Sequence, residues 1–230
     1  MKQYFTLFIF LLTLIPIHAQ YNVLMPVEIY KEEEKKCGLL THDNQFAFLS
    51  YPTFSPWGQK GLSFDYGSMT LTLRIAREPT PEEYDTSPSY TWHNQYEIKI
   101  DKTIADALFS LFTSAIYSAS FMGDTSMIMD GCYYEFHIGN MYGGYTRSPN
   151  TKSNCGRLVK IAEEVCRCVK NQDTAFLKSL LNEMYALTDI FVSYYPFEVP
   201  KWIIYDIHKR NKVKGPSVGL HFQSIKRGSK

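Results

Sequence analysis

The stretch from Cys132 to Arg147 gathers the side chains best suited to chemistry. It holds a thiol at Cys132, a carboxylate at Glu135, an imidazole at His137, tyrosines at 133, 134, 142 and 145, and a guanidinium at Arg147. A cysteine hydrolase needs its thiolate beside an imidazole. Cys132 and His137 are five positions apart, so in one continuous strand they face opposite sides. His93, His208 and His221 lie elsewhere in the chain, and nothing in their spacing brings them to Cys132. The Gly-x-Ser-x-Gly elbow of strand-turn-helix serine hydrolases does not occur. Gly143-Gly144 is too short for a phosphate loop and precedes no P-loop lysine. The pair reads instead as backbone relief at a turn or bulge.

Cys155, Cys166 and Cys168, with His137, are the right ligand types for zinc, but their spacing fits no paired Cys-x-x-Cys pattern. On one helix all three cysteines fall within the apolar arc, where a thiol acts as a small hydrophobe. No metal and no cofactor is expected. Cys155 and Cys166 would sit roughly 16 Å apart along that helix, far beyond the roughly 7 Å that a disulfide tolerates. The side chains of Cys166 and Cys168 diverge by roughly 160°. Any disulfide must therefore use Cys37 or Cys132.

The elements that would position these groups follow from periodicity. Gln45 to Tyr51 is a short apolar run, and turn signals around Trp57 follow it. Met69, Leu71, Leu73 and Ile75 alternate with polar or small residues, the pattern of a half-buried strand. Tyr96, Ile98 and Ile100 alternate likewise. Asp101 is placed to cap a helix from 102 to about 119, with Ile104, Leu108, Leu111, Phe112 and Ala115 on one side. Cys132, Tyr134, Phe136 and Ile138 then point one way, and Tyr133, Glu135 and His137 the other. Gly139-Asn140 suits a turn, and the chain returns through Tyr145 and Arg147 as a partner strand. Ser153 caps a second helix centred on Leu158, Ala162, Val165 and Val169. Asp173 caps a third, with Phe176, Leu180, Met184, Leu187 and Phe191 inward. Glu183 projects into that third apolar arc. It reads as an edge position with its head in water, or as a carboxylate paired to Arg74 or Arg147. The order of elements predicts an α+β fold: a mainly antiparallel sheet with about three amphipathic helices packed on one face.

Residues 1–19 carry Lys2, an apolar run from Phe5 to Ile15, and Pro16 before Ala19, which is the layout of a secretory signal peptide cleaved after Ala19. The run is too short to span a bilayer. Residues 20–207 then form a single α+β domain, and 208–230 a basic, flexible tail with seven Lys or Arg and no acid. Lys plus Arg number 24 against 23 Asp plus Glu, so the whole chain has no general attraction for nucleic acid. The expected product is an exported, soluble protein of the periplasm or the extracellular space.

The segment with Asp130-Gly131, Tyr134 and Phe136, Gly143-Gly144, Ser148-Pro149 and Leu158-Val159 resembles a pattern in uncharacterised exported bacterial proteins. The resemblance implies a shared fold element over about a sixth of the chain; no activity carries over with it. Tyr133, His137, Tyr145 and Arg147 are the candidate binding residues, because tyrosine and arginine are enriched where partners dock. The bland alternative is a sheet face covered by a loop such as 78 to 94. The expected function is non-enzymatic binding of a protein or envelope component, through the outer hairpin face and that loop. The alternative is a hydrolase or transferase whose site assembles from distant residues.

Overall fold

A computed structural model describes residues 24–27, 38–41, 45–52, 57–84, 92–119, 131–139 and 142–194. The leader, the segment "KWIIYDI", the basic tail, Cys37, Asp130, Asn140 and residues 85–91 of the loop fall outside them. Among the described residues, seven strands make one sheet: β1 (Met25–Val27), β2 (Phe46–Pro52), β3 (Lys60–Asp65), β4 (Thr70–Ala76), β5 (His93–Lys99), β6 (Cys132–Ile138) and β7 (Tyr142–Arg147). Their spatial order is β1-β7-β6-β2-β3-β4-β5, and every pairing is antiparallel. The helices are α1 (Pro81–Tyr84), α2 (Lys102–Tyr117), α3 (Asn154–Asn171), α4 (Thr174–Ser179) and α5 (Leu181–Ser193). The α+β architecture read from periodicity is the one observed.

One sheet face carries Phe46 and Phe48, Leu62 and Phe64, Leu71 and Leu73, Ile98, and Phe136, all buried. The register aligns them, with Phe48 opposite both Leu62 and Phe136. α2 lies over β6 and β7, α3 over β4 and β5, and α5 packs against α2. Phe112 of α2 meets Phe46 and Phe136 edge-on at 5.2 and 5.1 Å between ring centroids, and Phe46 stacks on Phe64 at 4.9 Å. Such pairings add about 0.5–1.5 kcal/mol each beyond the area they bury. Three helix starts are where the sequence put them: the Asp101 carboxylate accepts from Ile104 N–H, the Ser153 hydroxyl from Gly156 N–H, and the Asp173 carboxylate from Phe176 N–H.

The other face has a second, thinner layer. β2 is buried on both sides, because Leu39 and Leu40 pack on Ala47, Leu49 and Ala76. The segment 38–41 runs so close to β3 that a Cβ added to Gly61 would lie 2.2 Å from the Leu39 carbonyl oxygen. Arg74 secures it, donating from Nη1 to the carbonyls of Gly38 and Leu40 at 2.7 and 3.3 Å. The Thr41 hydroxyl adds a bond to Ser63 Oγ at 3.1 Å.

Several local expectations need correction. β3 went unread because the turn signals around Trp57 run straight into it. The helix expected from Asp173 onward divides at Leu180 into α4 and α5. Ser179 donates its hydroxyl to the Phe176 carbonyl and competes with the helical ladder there. The break moves Leu177 into the core and leaves Phe176 half-buried beneath the Arg167 guanidinium. Glu183 pairs across the helices with Arg157 at 3.6 Å, not with Arg74 or Arg147.

Candidate functional site

The hairpin β6–β7 is clamped at both ends. At one end, Ser148 adopts φ 37° and exchanges two bonds with Cys132: its N–H to the Cys132 carbonyl, and the Cys132 N–H to its hydroxyl, both 2.9 Å. At the other, Gly139 adopts φ 53° and donates to the Gln45 carbonyl at 3.0 Å, tying the turn to β2. β6 therefore sits in fixed register between β2 and β7. Tyr133 lies opposite Tyr51 and Arg147, Glu135 opposite Leu49 and Tyr145, and His137 opposite Ala47 and Gly143.

Three of the four residues singled out from the sequence come together on the outer face. Tyr133 and Tyr145 lie 5.1 Å apart between ring centroids, and the exposed Arg147 guanidinium sits 5.4 Å above the Tyr133 ring. Tyr51 extends the row into β2, 6.2 Å from Tyr133. Burial, with the Glu135 carboxylate second, holds the Tyr133 hydroxyl protonated well above the usual phenol range. At neutral pH the strip is thus neutral aromatic with one cation.

His137 is the fourth, and it does not belong to the exposed surface. It is 7% exposed, Glu135 is 5% exposed, and His137 Nε2 lies 3.0 Å from Glu135 Oε2. Its neighbours on the adjacent strands are the small residues Ala47 and Gly143. Its other nitrogen, Nδ1, is buried and has no hydrogen-bond partner. The Glu135 carboxylate thus lies against the buried imidazole and also acts electrostatically on the half-buried Tyr133.

Sequence reasoning missed Glu135 and Tyr51 as members. The alternation already put Glu135 on the face of Tyr133 and His137, so it was legible. Tyr51 was not, because only the β2–β6 register places it there.

The described ends of loop 78 to 94 are not near the strip. They flank β5, and β2, β3 and β4 separate β5 from β6, a distance of about 19 Å at the usual strand spacing. Among the described residues, the segment 38–41 covers the outer face over β2, β3 and β4.

Cys132 lies on the helix side of β6, against the Ser50 hydroxyl at 3.3 Å, and so is turned away from His137. Burial raises the thiols of all three α3 cysteines: Cys155 to about 12, Cys168 to about 11, and Cys166 in the same direction. Thiols held protonated are poor nucleophiles and poor metal ligands. Among the described residues, no group of three or more His, Cys, Asp or Glu side chains could hold a metal ion. No described helix is long and apolar enough to cross a membrane.

No family model, no curated protein and no solved structure matches this chain.

Proposed function

We propose that this is an exported, non-enzymatic binding protein of the bacterial envelope, and that it engages a protein or other envelope component through the outer face of the β6–β7 hairpin. The observation that carries the reading is the strip of Tyr51, Tyr133 and Tyr145 under a single exposed guanidinium, Arg147. Rigid tyrosines supply contact area at low entropic cost, and arginine supplies directional donors. The strip is preorganised, because its rings already pack on each other across three paired strands. Export rests on residues 1–19, with the mature chain starting at Gln20.

A hydrolase or transferase would draw on the Glu135–His137 pair, since a carboxylate orients an imidazole base in many active sites. Here the free nitrogen of that imidazole is buried, so no substrate atom can reach it in this arrangement. Binding is the better reading.

The test uses tagged mature protein and envelope extract. Arg147→Glu reverses the charge at an exposed position, and Tyr145→Ala opens the aromatic row. Both variants are expected to lose the capture of partners that the wild type retains. Unchanged capture by R147E removes this surface from consideration. N-terminal sequencing of the exported protein checks cleavage after Ala19.

A further inference from the structure

The arginines among the described residues are Arg74, Arg77, Arg147, Arg157 and Arg167. All but Arg147 spend their N–H groups inside the molecule. Arg74 donates to Gln95 and to two backbone carbonyls, and Arg77 grips both oxygens of Glu83. Arg157 pairs with Glu183, and Arg167 with Glu164. Among the described residues Arg147 has no hydrogen bond and no ion pair, only the Tyr133 ring 5.4 Å beneath its guanidinium carbon. Stacking is not what keeps its donors idle. Arg167 lies 4.7 Å from the Phe176 ring and still bonds the Glu164 carboxylate through Nε. A ring engages the flat side of a guanidinium, whereas the N–H donors point outward in its plane. Tyr133 therefore holds the Arg147 group in place and consumes none of its donors.

A planar fork with parallel N–H bonds matches a carboxylate or a phosphate. The rest of the face decides what carries the anion. The Tyr133 ring is tilted by 31° to Tyr145 and by 43° to Tyr51, so the three form notches and no single flat platform. Beside them lie Met25, Ala47, Leu49 and Gly143, and Glu135 and His137 are buried. A glycan brings several hydroxyls per sugar, and unpaired hydroxyls are costly to desolvate on so apolar a surface. An anionic membrane holds a protein by summing several cations. Among the described residues, the outer face of β1, β7, β6 and β2 offers one arginine and no lysine. An extended peptide suits it better. Every second side chain falls on one side, roughly 6.6–6.8 Å apart, a step close to the 6.2 Å between the Tyr133 and Tyr51 rings.

We infer that the strip's ligand is an extended peptide segment of a partner protein that carries an Asp or Glu side chain. The Arg147 fork takes its carboxylate, and an apolar side chain two positions away packs on the tyrosine rings. This deepens the docking reading and rests on it: that reading names the surface, and the free fork names the chemistry of its occupant. Recognition is of the carboxylate. The corresponding amide keeps the size and shape but turns an N–H group toward a guanidinium that has only donors to offer, and it is rejected for that reason.

The test immobilises the mature protein and selects from a displayed library of short random peptides; the tightest binder is then synthesised with both termini blocked. Selected sequences are expected to share an Asp or Glu with an apolar residue two positions away. Replacing that acid by its amide should weaken binding about tenfold or more, and Arg147→Gln in the protein should do the same. Both changes act on one contact, so together they should weaken binding clearly less than the product of the two. The peptide arm uses wild-type protein throughout, so it decides even if R147Q fails to fold. Equal affinity for the acidic peptide and its amide overturns the inference, as does a selection that yields no binder or no acidic preference. Binding to a glycan array, to vesicles of anionic lipid or to a second copy of the chain that R147Q abolishes, with no acidic peptide selected, overturns it in favour of that occupant. In each of these cases the docking reading stands if R147E still loses capture from envelope extract. Capture unaffected by R147E overturns the docking reading itself, whatever the peptides show.

Discussion

Gly61→Ala is expected to unseat the segment 38–41 that covers the outer face over β2 and β3. The added Cβ would lie 2.2 Å from the Leu39 carbonyl oxygen, 2.7 Å from its carbonyl carbon and 2.8 Å from its Cβ. Two of these three are backbone atoms, so no side-chain rotation relieves the clash, and the segment 38–41 must lift. Lifting returns Leu39 and Leu40, 0% and 9% exposed, to water. Each such side chain contributes about 1.5–3 kcal/mol when fully buried. The two Arg74 bonds to the Gly38 and Leu40 carbonyls add about 1 kcal/mol each. Complete release would cost about 5–8 kcal/mol on those figures, and partial relaxation brings the expected loss to about 3–5 kcal/mol. Urea unfolding of the purified mature protein measures it as a lowered midpoint. Leu39→Ala alone should cost about 2–5 kcal/mol. Both changes act on one contact, so the double variant should cost clearly less than the sum. A G61A protein within about 0.5 kcal/mol of wild type would refute the argument that this segment seals the outer face over β2 and β3.

Other outcomes follow from the same coordinates. Phe112→Ala removes the ring that meets both Phe46 and Phe136 and should cost about 3–5 kcal/mol in the same unfolding experiment. Asp101 has its carboxyl lowered, first by the Ile104 N–H and also by Lys178. Its contribution is therefore present above the ordinary carboxyl range and disappears as pH falls through the lowered value. Asp101→Ala should cost about 1 kcal/mol at neutral pH and little in strong acid, read from unfolding midpoints across pH. Cys155, Cys166 and Cys168 should resist alkylation at pH about 8 until denaturant is added, as mass spectrometry of the labelled peptides would show, because their thiols are buried and protonated. Rapid native labelling at Cys166 would contradict the packing of α3 on the sheet.

The sequence by itself determined which way side chains face along each element. Alternation divided 132–138 into a core side and an outer side, and helical spacing turned Leu158, Ala162, Val165 and Val169 inward. Asp101 and Ser153 marked helix starts because a capping bond spans only three residues. These properties are local, set by backbone geometry within a turn or two.

Tertiary structure decided everything that depends on which element lies beside or above another. Strand order put Tyr51 next to Tyr133, set the described ends of the 78–94 loop at the far edge, and gave Glu183 the partner Arg157. The segment 38–41, which has no periodicity of its own, became the cover of β2 because Gly61 leaves room for its backbone and Arg74 holds its carbonyls. His137 looked exposed from alternation alone. It is buried beside Glu135, with Ala47 and Gly143 opposite it on the adjacent strands, and pairing register is a long-range property that no local pattern contains.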